Sequence, residues 1–477
     1  MNREISNVIL IVVDSLRQDH VSYYNRGDRV FENVPACRTP NIDEFAAQSI
    51  AFRNIYPCGL PTIPVRTELM TGGPTLGTRD WQPLNDTDLT AAEILSHEGF
   101  VCGFLTDTYH YWAPGMNFHR FFHSYQWVRG EEYDPYVSAM PKRDVKNYIN
   151  ENYSALFKGY IAQYLANTEE RQAIEKRFTY ELIDKAIAWL RSNKHHRKLF
   201  LWLDSFKPHE PWDPPAEFDR YIPENYSGPR LILPMGGLAS SWASPAEMDC
   251  IRGLYAGEVA FVDFCLGRLF NALEDLGFFE NSLIVLLSDH GHPLADHGKF
   301  LKGSDRVYGE LLKVPLLIRF PGGERGGEWS DIVASFYDIL PTILNLVGLE
   351  KWCDLLVGKP FLGRTGEILG GRRWVISGYF KGKERAVRTK RWSMICINGE
   401  PRELYDLRQD PLERVNVIEQ HYEEACELLG KIPKQLYAPW AQMLSRTHTG
   451  LQGYHESRHS VSRIPLFVGP LGDSALE

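Results

Sequence analysis

The sequence predicts an α/β fold in which helices cover both faces of a mostly parallel sheet. Three apolar runs carry this prediction, and they are Asn7–Val13, Leu199–Leu203 and Ser282–Leu287. Strands that are apolar along their whole length are buried on both faces, which is typical of a parallel sheet between helices. Helical patterns lie between the runs, so the chain alternates strands and helices as a doubly wound sheet does.

The predicted helices are marked by their end signals. Thr39–Ala47 begins with a Thr and a Pro, and Thr90–His97 is followed by Gly99, a residue that ends helices. Two longer stretches, Glu169–Ser192 and Glu247–Leu276, are also predicted to be helical. Together with the three strands, these segments account for a large first domain.

Beyond about residue 370 the pattern changes to short segments rich in aromatic and β-branched residues, separated by turn signals. They are Trp374–Tyr379, Ala386–Thr389, Trp392–Ile397 and Glu403–Tyr405, and the helical stretch Glu419–Lys431 follows them. We therefore predict a catalytic domain over residues 1–370, a small C-terminal subdomain of one antiparallel sheet plus a helix over 371–445, and an extended tail over 446–477.

Composition and charge narrow the classes of function. The 477 residues carry 52 basic and 61 acidic side chains, a net charge of −9, so we expect no binding to nucleic acid or to a membrane surface. No apolar run approaches the roughly 18 residues of a membrane span, and the chain starts without a signal-peptide pattern. The eight cysteines are scattered without a C-x-x-C pair, so we expect reduced thiols and a cytoplasmic location.

Carboxylates follow the predicted strands at the point where each strand ends. Asp14 follows the first run, Asp204 the second, and Asp289 and His290 follow the third. Open α/β sheets bind their ligands at this edge. Because an unpaired buried carboxylate is costly, Asp14, Asp289 and His290 on neighbouring strand ends predict a site for one divalent metal.

A second pattern is the segment from Pro61 to Gly72. Pro64 suits the first turn of a helix, so Thr62 is predicted at the helix N-terminus, where free N–H groups favour an oxyanion. Arg66 follows one turn later and can donate two hydrogen bonds to the same anion. A hydroxyl, a metal and a fixed guanidinium make a nucleophile with its activator and charge clamp, whereas a capping Thr with a surface Arg is the alternative.

With these residues in place, the chain resembles the sulfatases of the alkaline phosphatase superfamily through most of its length. Seven segments match the family in order: NVILIVVDSLR from residue 7, TPNID from 39, the 62–72 segment against C-x-P-S-R-x-x-L-x-T-G, PHEP at 208–211, SDHG at 288–291 with DHG at 296–298 and Lys302, FYDILPT at 336–342, and ELYDL at 403–407. The resemblance implies the alkaline phosphatase-like fold.

The departures from the family pattern point to a particular branch. Sulfatases oxidise a Cys or Ser to formylglycine at the position of Thr62, and the extra methyl group prevents Thr from becoming that aldehyde. Ser15 stands where many sulfatases have a second Asp, and His290 where many have Asn. This exchange favours Mn²⁺ or Zn²⁺, with Ca²⁺ or Mg²⁺ as alternatives. A Thr nucleophile resembles the phosphodiesterase and phosphonate monoester hydrolase members.

The resemblance also implies roles for further residues. Lys302 would neutralise phosphoryl oxygens together with Arg66, and His209 would protonate the leaving alkoxide. The substrate site would be lined by Tyr109, Thr108 and His297. His292 is a further candidate ligand or acid/base group. A second metal on Asp204 and His209 is an alternative, but their spacing favours a single ion.

The predicted function is a metal-dependent hydrolase that cleaves phosphate or phosphonate esters. Thr62 would attack phosphorus in line and form a covalent phospho-enzyme, which water then hydrolyses. The Thr62 oxygen would also be a ligand of the metal, beside Asp14, Asp289 and His290. A sulfuric ester hydrolase, a phosphotransferase and a non-catalytic binding protein with the same fold are the alternatives. The expected partner is a small anionic ester, and a homo-oligomer is compatible with the sequence.

Overall fold

The computed structural model describes residues 4–113, 115–433 and 436, and within them thirteen strands form two sheets. The strands are β1 Asn7–Val13, β2 Ile50–Tyr56, β3 Gly59–Leu60, β4 Val101–Thr106, β5 Ser124–Trp127, β6 Leu199–Ser205, β7 Ser282–Ser288, β8 Leu316–Arg319, β9 Trp329–Ser335, β10 Val375–Tyr379, β11 Glu384–Arg388, β12 Trp392–Ile397 and β13 Glu400–Asp406. The three predicted apolar runs are β1, β6 and β7, and all of their residues are buried.

Ten α-helices belong to the same described residues. They are α1 Ser22–Asn25, α2 Pro40–Ala47, α3 Thr62–Thr71, α4 Ala91–His97, α5 Ala155–Asn167, α6 Phe178–Asn193, α7 Pro245–Asp275, α8 Gly309–Leu312, α9 Ile339–Leu346 and α10 Tyr422–Leu429. In the part of the chain that is described, no helix combines the length and the apolar composition that crossing a membrane requires.

The large sheet has the order β5-β4-β6-β1-β7-β8-β2-β9 and is mostly parallel, as predicted. Only β8 runs against its two neighbours, β7 and β2. The predicted α/β class, with a large, mostly parallel sheet and a separate small antiparallel sheet, is therefore confirmed.

Alternate side chains of the central strand enter two different cores. Ile9, Ile11 and Val13 of β1 join a core that also contains side chains of α2, α5, α6 and α7. Val8, Leu10 and Val12 join the opposite core, which contains side chains of α3, α4 and α9. Helices on both faces explain why β1 is apolar without interruption.

The small sheet has the order β13-β12-β11-β10-β3. Its four C-terminal strands are antiparallel and α10 packs against them, as the sequence predicted for this region. The fifth strand, β3, comes from the segment just before α3 and pairs in parallel with β10. A division of the chain at residue 370 thus does not separate the two sheets, and the predicted tail over 446–477 lies outside the described residues.

One predicted helix has different bounds. The stretch Glu169–Ser192 was predicted as a single helix, but α6 begins only at Phe178 and a separate helix, α5, ends at Asn167. Between them the chain turns, and Arg171 pairs with Glu181 of α6 at 2.8 Å. This ion pair holds the turn against α6. The polar residues of the turn, which by themselves would suit a helix, therefore separate α5 from α6.

Candidate active site

The site lies at the carboxyl edge of the large sheet, where three central strands end side by side. Val12 of β1 is level with Asp204 of β6, and Val13 is level with Ser288 of β7. Asp14 and Asp289 are the next residues of their strands, and the Asp14 N–H donates to the Ser205 carbonyl at 2.9 Å. The predicted meeting of strand-end carboxylates is therefore present.

Asp14, Asp289 and His290 offer ligand atoms that all lie within 4.8 Å of one another, and all three side chains are fully buried. His290 Nδ1 lies 2.8 Å from the Gly291 carbonyl, which can only accept, so Nδ1 carries the proton. The free Nε2 then presents its lone pair to Asp289 Oδ2 at 3.2 Å. Asp289 Oδ2 also accepts from Arg66, whereas Nε2 has no N–H donor within the group, and a ligand His anchored by a backbone carbonyl is typical of metal sites.

Asp14 gives the same indication. Its Oδ2 is buried without a hydrogen bond, although Arg66 Nη2 lies 3.1 Å away. Burial, together with the charge of Asp289, raises the pKa of Asp14 well above its usual value in the protein without an ion. The donor set of two carboxylates and one neutral imidazole therefore fits a divalent metal.

Ser15 shapes this group from the backbone. It adopts a left-handed conformation with φ of 62°, which is uncommon for a residue with a side chain. In that conformation its N–H donates to Asp289 Oδ1 at 2.9 Å, and its hydroxyl donates to Asp14 Oδ1 at 2.8 Å. Ser15 thus occupies one oxygen of each carboxylate and orients both.

Thr62 is the first residue of α3, in agreement with the prediction from Pro64. Its hydroxyl oxygen lies 3.4 Å from His290 Nε2, and its side chain is buried. The chain before it is fixed by Glu68 from the next turn, which accepts from the N–H groups of Cys58 at 3.0 Å and Gly59 at 2.8 Å. The hydroxyl therefore stands beside the candidate metal ligands on a rigid helix start.

Arg66 lies among carboxylates and is fully buried. Its guanidinium forms two bonds with Asp204, at 3.0 and 2.8 Å, and also contacts Asp14 and Asp289. Burial alone would lower its pKa, but these carboxylates raise the pKa of Arg66 well above its usual value. The sequence predicted that Arg66 would face a bound anion, and the structure shows its charge already matched by acidic side chains.

Asp204 accepts more hydrogen bonds than the sequence pattern indicated. Besides Arg66, it accepts from Tyr111 at 2.6 Å, Thr108 at 3.0 Å and Trp202 at 3.2 Å. Its oxygens are thus fully used without an ion. The structure places the Thr108 hydroxyl on this carboxylate, and it does not join Asp204 with His209 as the second-metal alternative required.

Lys302 forms a compact group with His209 and Glu210. Its ammonium lies 2.9 and 3.1 Å from the two carboxylate oxygens of Glu210 and 3.0 Å from His209 Nε2. His209 Nδ1 donates to the Glu210 carbonyl at 2.7 Å, so Nε2 accepts from Lys302. Burial and the Lys302 charge lower the pKa of His209 well below its usual value, so the His209 ring is neutral and accepts from the Lys302 ammonium.

A second group of possible ligands surrounds His209. His110, Glu132 and His209 offer atoms within 4.8 Å of one another, and His110 Nε2 lies 2.9 Å from Glu132. The rings of His110 and His209 are 5.6 Å apart, and Tyr109 lies against the His110 ring at 6.0 Å. Tyr109 therefore lies near this group, and its role in lining the substrate site stays a prediction.

The other two predicted histidines lie in different surroundings. His297 stacks on Tyr308 at 3.8 Å, and its two nitrogens lie 2.8 Å from Glu310 and 2.9 Å from the Glu413 carbonyl. The structure therefore does not bring His297 to the group around Thr62. His292 is fully buried with no hydrogen bond to either nitrogen, and its Nδ1 is 3.5 Å from Glu210.

Sequence reasoning missed Glu210, Glu132 and Tyr111. Glu210 lies inside the Pro-His-Glu-Pro segment, but it occupies the variable position of that motif, so the motif gave no reason to select it. Glu132 and Tyr111 follow no strand end and no motif, so only the folded chain reveals them.

Comparison with protein families gives two matches along the chain. The family model described as Sulfatase matches residues 6–349, and the model described as N-sulphoglucosamine sulphohydrolase, C-terminal, matches residues 295–439. The first match alone covers well over half of the chain.

Curated relatives are similar at about a quarter identity. A multifunctional alkaline phosphatase superfamily protein of Trinickia caryophylli is 26% identical over 75% of this chain and 79% of its own length. An arylsulfatase of Clostridium perfringens is 24% identical over 89% of this chain and 93% of its own length.

Solved structures share the fold. A phosphonate monoester hydrolase of Agrobacterium radiobacter has a TM-score of 0.65 at 21% identity and covers 96% of this chain and 95% of its own. The phosphonate monoester hydrolase of Silicibacter pomeroyi has a TM-score of 0.64 at 20% identity and covers 89% and 93%.

Proposed function

The chain belongs to the sulfatase family, and from that premise we propose that it hydrolyses phosphate or phosphonate esters through a covalent intermediate on Thr62. The single observation that carries the proposal is the 3.4 Å distance from the Thr62 hydroxyl to His290 Nε2, at the N-terminus of α3 and beside Asp14 and Asp289. Attack on phosphorus needs only an activated hydroxyl, which a Thr supplies.

The metal would be held by Asp14, Asp289 and His290 together with the Thr62 oxygen, with Mn²⁺ or Zn²⁺ favoured by the imidazole. When bound, such an ion supplies Lewis-acid stabilisation of a hydroxyl oxygen and of phosphoryl charge. Arg66 contacts Asp14 and Asp289 and is itself fixed by its hydrogen bonds to Asp204, so it holds the two carboxylates in place.

The reaction exchanges one ester bond for another. The Thr62 hydroxyl would give its proton to water as its oxygen forms a bond to phosphorus, and the bond from phosphorus to the leaving oxygen would break in the same step. The leaving oxygen then takes a proton from the Lys302 and His209 pair, in which Lys302 is the donor. A water molecule would next attack phosphorus on the side opposite Thr62 and give one proton to the now neutral Lys302. The bond from phosphorus to the Thr62 oxygen would break, and that oxygen would take a proton from solvent water, which restores the hydroxyl.

A second candidate, hydrolysis of sulfate esters, is favoured by the family match and by the arylsulfatase among the relatives. The identity of residue 62 weighs against it, because Thr cannot be oxidised to the formylglycine aldehyde that resolves a sulfated intermediate. Cys58 is not an alternative source of that aldehyde, since it is buried and lacks the Pro and Arg at the following motif positions.

The test compares four aryl esters with one leaving group, a sulfate, a phosphate monoester, a phosphate diester and a methylphosphonate, on the purified full chain with added Mn²⁺ or Zn²⁺. We expect phosphorus ester turnover to exceed sulfate turnover, and Thr62→Ala to lower it by at least about 10³-fold. Thr62→Ser is the matched control and should keep measurable activity with a phosphoserine adduct in intact-protein mass spectra. Sulfate turnover far above the other three, or an active Thr62→Ala protein, would refute the proposal, and added alcohols reveal any transfer.

A further inference from the structure

We infer that the turn between β10 and β11 forms one wall of the substrate cleft and that its Lys383 favours esters whose leaving group carries a negative charge remote from phosphorus. Residues 380–383 are called the wall turn below. The inference rests on the proposed function and adds a substrate class to it. Three contacts join the wall turn to segments that carry residues of the site.

The first contact joins the wall turn to the segment that precedes Thr62. Tyr379, the last residue of β10, is level with Leu60 of β3, and the Phe380 N–H donates to the Leu60 carbonyl at 3.0 Å. Only Pro61 separates Leu60 from Thr62. A backbone hydrogen bond therefore fixes the start of the turn close to the candidate nucleophile.

The second contact joins the wall turn to the loop that carries Lys302. Gly382 packs directly on Ser304, because a Cβ atom on this glycine would lie 2.9 Å from the Ser304 Cβ and 3.1 Å from the Ser304 carbonyl oxygen. Only one residue separates Ser304 from Lys302. The turn thus extends from the Thr62 segment to the Lys302 segment, and an ester that reacts between these two residues would have its leaving group beside the turn.

The third contact closes the wall on the side of the histidines. The Lys381 ammonium lies 3.6 Å from a carboxylate oxygen of Asp80. The next residue, Trp81, places its ring 5.1 Å from the ring of His110, which in turn lies 5.6 Å from the ring of His209. The three contacts together place the wall turn at the border of the group that contains the proposed proton donor.

Lys383 supplies the available positive charge of the wall turn. Lys381 is already paired with Asp80, whereas Lys383 is exposed and forms no ion pair within the described part of the chain. Of the nearby acids, Asp305 is paired with two basic side chains, and burial raises the pKa of Glu384 to about 7. An exposed ammonium beside the leaving group attracts a remote carboxylate or phosphate there, while the candidate metal ligands serve the reacting group.

The test uses two aryl methylphosphonates on the full chain with added Mn²⁺, the 4-carboxyphenyl ester and its 4-methoxycarbonylphenyl analogue. The measured quantity is the ratio of kcat/KM for the charged ester over that for the neutral one. Intrinsic reactivities cancel when this ratio is compared between proteins. Lys383→Glu turns attraction into repulsion, so the ratio should fall by about fivefold or more, and the difference from wild type should shrink in high salt.

Lys390→Glu is the matched control, since Lys390 is an exposed lysine in the turn at the other end of β11, and it should keep the wild-type ratio. A purely structural role for Lys383 would lower both rates equally, and an unchanged ratio in Lys383→Glu would overturn the inference. If the wild-type protein hydrolyses neither ester, the proposed function fails. The dissociation constants of the same two esters, measured by calorimetry on wild-type protein and Lys383→Glu, then decide the charge preference separately, and an unchanged ratio of these constants overturns it.

Discussion

Asp204 organises the site through its hydrogen bonds to other side chains. Its carboxylate binds the Arg66 guanidinium through two hydrogen bonds and accepts three more from Thr108, Tyr111 and Trp202. Arg66 in turn holds the two carboxylates that are the candidate metal ligands. The position of those ligands therefore depends on a residue whose own oxygens are occupied by side-chain donors.

Replacement of Asp204 by Asn should lower the free energy of unfolding by about 3–5 kcal/mol, because it leaves the buried Arg66 with one fewer counter-charge. Urea unfolding measures this loss. The matched control is Asp331→Asn, whose pair with Arg53 joins side chains that are 63% and 40% exposed, and which should cost no more than about 1 kcal/mol. Equal losses for the two variants would contradict the role given to Asp204.

Single residues also show which parts of the site can be predicted from sequence. Asp14, Asp289 and His290 were predictable because each follows a buried strand, and parallel strand ends share one edge. The direction of Arg66 and Thr108 was not, because both turn toward Asp204, which is 138 and 96 positions away in the chain. His297 carried a motif signal but is bound by residues of other segments.

At the scale of elements, His297 joins the loop after β7 to the loop before α10. Both ring nitrogens of His297 face acceptors, Glu310 and the Glu413 carbonyl, so the ring is doubly protonated. Burial alone would lower the pKa of His297, but the hydrogen bond to Glu310 outweighs it and raises the pKa to about 9. The unfolded value is about 6.5. A raised folded pKa means that this contribution is complete below pH 6.5 and is lost as pH rises through 9.

We therefore expect His297→Asn to cost about 1.5 kcal/mol of unfolding free energy near pH 6 and clearly less near pH 10. Urea unfolding of both proteins across this range measures the difference. A loss that does not change with pH would show that His297 is held neutral. His421, a partly exposed histidine beside Glu424, is the control position, and its replacement by Asn should have a small effect throughout.

Strands and helices differ in how far the sequence specifies them. The strands of the large sheet were predictable where they were apolar on both faces, as β1, β6 and β7 are. Helix α5 was missed because its apolar residues, from Ile161 to Ala166, form a buried end rather than a stripe. Helix α4 was predictable from Gly99 after it, and the structure adds an N-terminal cap, because the Thr90 hydroxyl accepts from the N–H of Glu93.

At the scale of the whole molecule, an ion at Asp14, Asp289 and His290 would join the ends of β1 and β7 and the start of α3. Removal of divalent ions should therefore lower the melting temperature, and restored Mn²⁺ or Zn²⁺ at about 100 times its dissociation constant should return about 2.7 kcal/mol of stability. Thermal unfolding with and without a chelator measures this. In Asp289→Asn the shift should be largely absent, and a full shift in that variant would place the ion elsewhere.

The pairing of β3 with β10 joins two segments that are more than 300 residues apart in the chain. Gly59 and Leu60 lie just before Thr62, separated from it only by Pro61, and they complete a sheet whose other four strands all lie beyond residue 374. Thr62 is thus translated early, but the strand that pairs with the segment before it is translated only at residues 375–379. A chain shortened before residue 375 would carry Asp14, Asp289 and His290 and still lack the strand that pairs with Gly59 and Leu60, so we expect such a chain to hold Thr62 less rigidly.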